Sequence, residues 1–258
     1  MKEIWLSTLS VAEATVQTLM KKLQTYGLPC SGHRWQDDLQ AMAWLWPKEE
    51  ICKPQCAFWV ILGSREALLK PETRFGLSLL AFCVHAKRGL GFPIVVLQTE
   101  GASLAAAELP TALQRALILP AGDAGTPAKL VAKAHAKAAD LPSAYYLDMV
   151  GNPHFGQWFE IRPAAGTWPG VIFGVDEGEI SFQAVGPSGE LPKTSTLNYP
   201  MQGLKIEVDG KNFSAWAVRN EVGNGSSYYV KVSGAPANLL FGAFSEESEA
   251  EMYRVALK

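Results

Sequence analysis

Cys30-x-x-His33 and Cys52-x-x-x-Cys56 place four soft donors in two short segments, at spacings that suit a tetrahedral zinc site if the segments meet. They flank different predicted elements, and Cys56 opens an apolar run where a free cysteine behaves as a small hydrophobe, so no metal is assigned. Ser7, Thr8 and Ser10 follow the first apolar run, where hydroxyls and free N–H groups could hold a ribose or a phosphate. Helix capping is the competing use of such hydroxyls. Ser64 stands in the equivalent place after a later run. No Gly-x-Gly-x-x-Gly, Walker or Gly-x-Ser-x-Gly pattern occurs, which argues against a Rossmann dehydrogenase, a P-loop NTPase and a serine hydrolase. His85, His135, His154 and Asp148 have no nucleophile beside them in sequence. Trp158, Trp168, Tyr199, Trp216, Tyr228 and Tyr229 could stack a sugar or a base, although aromatics on strands more often fill a core.

The elements that must position these residues divide the chain near residue 142. From Met1 to about Ala139, apolar runs alternate with helical patterns. Glu3 to Thr8 reads as a buried strand, Val11 to Tyr26 as an amphipathic helix stopped by Gly27, and Leu28 to Trp35 as a second strand. Leu39 to Trp46 reads as a short helix ended by Pro47. Ala57 to Leu62 is an apolar run too short for a helix, Phe75 to Lys87 a helix closed by Arg88-Gly89, and Phe92 to Gln98 a further buried strand. An Ala/Lys-rich helix from Pro127 stops at Asp140-Leu141-Pro142. Alternation of this kind predicts a three-layer α/β unit over residues 1–142, with a parallel sheet whose ligands gather outside the carboxyl ends of its strands, in the loops after Ser7, Leu62 and Leu97.

Residues 143–258 read differently. Short alternating segments (Tyr145 to Met149, Gln157 to Arg162, Val171 to Val175, Glu179 to Val185, Leu204 to Val208, Ser214 to Asn220, Tyr228 to Val232 and Leu239 to Phe244) are separated by turn residues. Asp209-Gly210 and Asn224-Gly225 are hairpin turns. This predicts an antiparallel sandwich or barrel. Glu246 to Leu257 reads as a closing helix capped by Ser245.

The front half resembles a TIR domain, of the Toll/interleukin-1 receptor type, and other flavodoxin-like modules. The likeness is carried by Trp5-Leu6-Ser7, by Phe58-Trp59-Val60-Ile61-Leu62-Gly63-Ser64, and by Phe75-Gly76-Leu77-Ser78-Leu79 leading to Phe92-Pro93-Ile94-Val95-Val96-Leu97. It covers about the first 140 residues and none of the β half. In NAD-cleaving members of that family a glutamate sits early in the helix before the Pro-containing strand. Counting back from Pro93, Gly76 or a neighbour occupies that place here. Glycine can neither hold a ribose nor steady an oxocarbenium-like state. Glu72, one helical turn earlier, is the substitute candidate. Its other use is as a first-turn acid that complements the helix N-terminus after Pro71.

Composition narrows the partners. Lys and Arg number 23 against 25 Asp and Glu, so nothing implies a nucleic-acid partner. With 48% hydrophobic and 19% charged residues the chain can bury a sizeable core. Glu3, Glu13 and Lys21/Lys22 interrupt any secretory apolar run, no stretch reaches the roughly 20 residues that span a bilayer, and the four cysteines are too sparse to staple the fold. A cytoplasmic protein with no membrane association is expected. Three functions follow: a non-catalytic module recognising a protein partner or small nucleotide, with oligomerisation open and no cofactor required; an enzyme acting on NAD or another nucleoside through Glu72; and carbohydrate or small-ligand binding by the β half.

Overall fold

A computed structural model describes residues 2–245 and 251–258. The chain forms two compact units, Met1–Leu141 and Pro142–Lys258.

The first unit runs β1 (Glu3–Leu9), α1 (Glu13–Thr25), β2 (Cys30–Arg34), α2 (Pro47–Ile51), β3 (Cys56–Gly63), α3 (Arg65–Leu69), α4 (Pro71–Arg88), β4 (Ile94–Gln98), β5 (Leu117–Pro120) and α5 (Thr126–His135). All five strands are parallel, in the order β2-β1-β3-β4-β5. Side chains alternate across the sheet. Ile4, Leu6, Phe58, Val60, Leu62, Val95 and Leu97 therefore share one face, where they pack with Leu19 and Leu23 of α1 and Leu130 of α5. Burying each such side chain contributes about 1.5–3 kcal/mol. Trp5, Ser7, Trp59 and Ile61 take the other face. The crossover from β3 to β4, right-handed by the general rule for parallel strands, puts α4 on that side, with α2 against it. The run from Phe75 to Val84 is buried on every side of α4, as a helix between a sheet and further chain must be.

Three expectations need correction here. The Ala/Lys-rich helix expected to run from Pro127 to Asp140 ends at His135, because Ala136 takes an extended backbone. Residues 39–46 form turns, and Pro47 begins a helix where it was expected to end one; its fixed φ and missing N–H suit the first helical position. The helix expected from Phe75 already starts at Pro71, for the same reason.

The second unit contains β6 (Tyr145–Asn152), β7 (Gly156–Pro163), β8 (Thr167–Trp168), β9 (Val171–Val175), β10 (Glu179–Pro187), β11 (Met201–Val208), β12 (Lys211–Val218), β13 (Val222–Gly223), β14 (Ser226–Ser233), β15 (Asn238–Ala243) and β16 (Met252–Ala256). One antiparallel sheet has the order β6-β7-β14-β13-β8, with β10 also on β14; the other is β11-β12-β9-β15-β16. Phe159 of the first sheet meets Phe173 of the second at 5.6 Å between ring centroids. Asp209-Gly210 and Asn224-Gly225 all have positive φ, the backbone that two-residue hairpin turns require.

The barrel alternative fails, because no closed barrel forms among the described residues: β11 and β16 end their sheet without pairing to each other. The closing helix is overturned as well. Residues 246–250 of that expected helix lie outside the described residues, but Met252–Ala256 is a strand antiparallel to β15. The alternation Met252, Tyr253, Arg254, Val255 has the strand period, and β15 offers it an edge.

Candidate functional site

In a sheet of this order the chain leaves β1 and β3 in opposite directions, and the carboxyl ends of these two strands mark the place where a ligand crevice forms. Here that place is closed. Gly63 pairs with Leu9, and a Cβ added to Gly63 would lie 2.9 Å from the Leu9 Cβ. Ser7 is fully buried, and its Oγ accepts a hydrogen bond from Trp59 Nε1 at 2.9 Å. Thr8 Oγ1 donates to the His33 carbonyl at 3.2 Å. Ser10 is exposed, with a left-handed φ of 51°. Ser64 caps α3, its Oγ accepting from Ala67 N at 3.2 Å. Three of the four hydroxyls thus serve the fold. Glu72 is exposed in the first turn of α4.

The loops at this edge are pinned by groups that sequence patterns did not single out. Asp37 accepts from Trp35 Nε1 at 2.9 Å, Thr73 Oγ1 at 2.9 Å and Lys70 Nζ at 2.8 Å, joining the segment after β2 to α4. Burial works against its charge, yet these donors together hold its carboxyl below the usual range. Arg65, after β3, grips Glu108 with both terminal nitrogens. That pairing holds Glu108 down to about 2. Gln98 organises the loop after β4, its Nε2 donating to Ala102 O at 2.7 Å and its Oε1 accepting from Leu104 N at 3.0 Å.

Gly76 sits beneath this lock. A Cβ there would come 2.9 Å from Trp35 Cζ2 and 3.3 Å from Trp44 Cβ. Two indoles fill the space that an acidic side chain at this position would need. The same layer holds His33. Its ring stacks on Trp5 at 5.8 Å and meets the exposed Trp46 edge-on at 4.9 Å. Trp5 Nε1 donates to His33 Nδ1 at 3.1 Å, which leaves the proton of the neutral ring on Nε2. Burial lowers the His33 pKa to about 4.

On the α1 face, a cleft of about 260 Å³ opens between α1 and the edge strand β2. Thr8, Glu13, Gln17 and Arg34 provide its polar groups. Arg34 is exposed, with no ion-pair partner among the described residues.

The four candidate soft donors do not converge. Cys30 follows the register of Ile4 toward the α1 face, whereas His33 follows that of Ser7 to the other. Burial, aided by the neighbouring Cys56, pushes the Cys30 thiol up to about 12, and burial pushes Cys56 up to about 11. Thiols in that state are poor metal ligands and poor nucleophiles. All four cysteines are free, and no cluster of three His, Cys, Asp or Glu suited to a metal occurs among the described residues.

Within the second unit, the candidate aromatics separate by burial. Tyr228 and Tyr229 are fully buried, their hydroxyls donating to Gln183 Oε1 and to the Pro187 carbonyl. Trp158, Trp168 and Trp216 are half-buried, and Tyr199 is 74% exposed. Trp158 meets the exposed Phe182 edge-on at 5.7 Å, and its Nε1 donates to the Phe155 carbonyl. Glu160, between core residues Phe159 and Ile161, is 1% exposed; it accepts from Ser227 Oγ at 2.7 Å and Gly189 N at 2.9 Å. Alternation alone assigns Glu160 to a solvated face; the loop carrying Gly189 is what buries it. Asp148 lies opposite it in register, and His154 is exposed on the β6–β7 turn.

No protein-family model, no curated protein and no solved structure matches this chain.

Proposed function

We propose that the protein is a non-catalytic recognition module: a TIR-like or related flavodoxin-like α/β unit joined to a sandwich-like β unit that binds. The observation that carries this reading is the packing at Gly76. The position expected to bear a catalytic acid has no side chain, and Trp35 and Trp44 occupy the space above it. Glycosyl transfer from NAD needs a carboxylate beside the ribose. Glu72, the substitute, is exposed, whereas Ser7 is fully buried. The strand order supports the flavodoxin-like reading. A small nucleotide finds polar contacts in the cleft of Thr8, Glu13, Gln17 and Arg34, on the α1 face.

The test is incubation of the purified protein with NAD while nicotinamide is followed by chromatography, alongside calorimetric titration with NAD and ADP-ribose. No nicotinamide should form, with or without Glu72→Ala. Any heat of binding should weaken about tenfold in Arg34→Ala, the scale of one lost charge-assisted contact. Nicotinamide release that disappears in Glu72→Ala would replace this reading with the enzymatic one.

A further inference from the structure

A second cleft, of about 160 Å³, lies at the opposite edge of the parallel sheet, among the C-terminal turn of α4, the segment leading into β4 and the chain that follows α5. Arg115, Lys133 and Lys137 line it, together with His85, and no aspartate or glutamate does. Some basic side chains elsewhere in this unit pair with acids: Lys53 with Glu50, Arg65 with Glu108, Lys70 with Asp37, Lys129 with Asp123. Arg115, Lys133 and Lys137 have no ion-pair partner among the described residues. Lys133 lies in the last turn of α5, where a cation complements the negative helix end. Arg115 and Lys137 lie outside any helix and have no such account. The remaining wall is apolar, with Phe92 and Ile94 on it. Low-dielectric walls strengthen the field that convergent cations create.

We propose that this cleft is an anion-binding site for a small phosphate-bearing molecule, held by Arg115, Lys133 and Lys137. Its chemistry and its size agree. A guanidinium presents a planar fork that matches two phosphate oxygens, while ammonium groups act as point charges. The cleft is small, at about 160 Å³. That admits one phosphate or a diphosphate, and it falls well short of the roughly 300 Å³ at which pockets for larger ligands begin. Its lining, three cations with no carboxylate, separates this site from the α1–β2 cleft, whose lining includes Glu13.

His85 provides a reporter. Its pKa is lowered to about 4, by burial first and by the Arg115 charge second. An anion settling beside Arg115 offsets that charge, so the His85 titration should move upward on binding.

The experiment is calorimetric titration of the full chain with sodium phosphate and with sodium pyrophosphate at constant ionic strength, with the His85 ring followed by NMR. Saturable binding is expected, tighter for pyrophosphate and accompanied by an upward shift of the His85 midpoint. Arg115→Ala and Lys133→Ala should each weaken it at least tenfold. Lys129→Ala, on the same helix as Lys133 but paired with Asp123, should leave it unchanged. Because Arg115 is exposed and Lys133 half-buried, both variants should fold, which circular dichroism will verify. The proposal is overturned if folded wild-type protein shows no saturable heat, if Arg115→Ala and Lys133→Ala bind as the wild type does, or if citrate binds more tightly than pyrophosphate. None of these outcomes bears on NAD turnover.

Discussion

Lowering the pH from 7.5 to 5 should destabilise the α/β unit through two histidines. His33, under Trp5, Trp35 and Trp46, and His85, near Arg115, both have pKa values lowered from 6.5 to about 4. In the unfolded chain they take up protons near 6.5. Between pH 6.5 and about 4 the unfolded state therefore binds more protons, and stability falls as pH falls. The contribution is complete above 6.5 and declines no further below about 4. At pH 5 the displacement corresponds to about 2 kcal/mol per imidazole before screening. Both rings retain some contact with water, which reduces this to about 1 kcal/mol each, or about 2 kcal/mol together. Protonating His33 at Nδ1 would also remove the acceptor for Trp5 Nε1. Urea denaturation at pH 7.5, 6 and 5 measures the effect, while NMR of the ring protons gives the midpoints directly. His33→Gln and His85→Gln should each remove about half of the pH dependence between 7.5 and 5. Equal unfolding free energies at pH 7.5 and 5, or midpoints near 6.5 in the folded protein, would refute the reasoning. Asp37 and Glu108 act in a different window. Their pKa values are depressed, so their contribution is present above about 4 and is lost only on further acidification.

Other perturbations test the packing around the plugged edge. Ser7→Ala leaves the buried Trp59 indole N–H without an acceptor and should cost about 1–3 kcal/mol in chemical denaturation, most of it recovered in the Ser7→Ala/Trp59→Phe double variant. Asp37→Ala releases donors from Trp35, Thr73 and Lys70 and should lower stability by about 1–3 kcal/mol; an unchanged midpoint would show that the network does not hold the edge. Gly76→Glu forces a side chain into Trp35 and Trp44 and should destabilise by about 3 kcal/mol or more without producing nicotinamide from NAD. A well-folded Gly76→Glu variant that cleaves NAD would show the edge to be an active site that had lost only its acid. Asp209→Val places a β-branched residue at a φ of 50° and should lower the melting temperature by several degrees, consistent with a cost of about 1–2 kcal/mol.

Most of the architecture was legible in local patterns. Continuous apolar runs such as Phe58 to Leu62 mark buried parallel strands, and alternation such as Gln157 to Ile161 marks strands with one covered face. The Asp-Gly and Asn-Gly turns announce their hairpins because few other residues tolerate positive φ. Pro47 misled because proline both ends helices and starts them, and only the contacts of the next turn decide which. The tail misled because its glutamates suit a helix start while the following alternation suits a strand. The availability of the β15 edge settled the second part.

Long-range proximity was not legible. No spacing connects Trp35 and Trp44 with Gly76, Arg65 with Glu108, or Arg115 with Lys133, since each pair meets only when separate crossovers stack on the sheet. Sequence by itself determined most of the strands, the two-part division of the chain, and that Gly76 carries no acid. Tertiary structure alone decided that Ser7 is buried as an acceptor, that indoles close the edge of the β1–β3 switch, and that unpaired cations collect at the opposite edge. Local preference acts over a few residues, whereas burial and charge pairing are set by whatever the fold brings within a few ångströms.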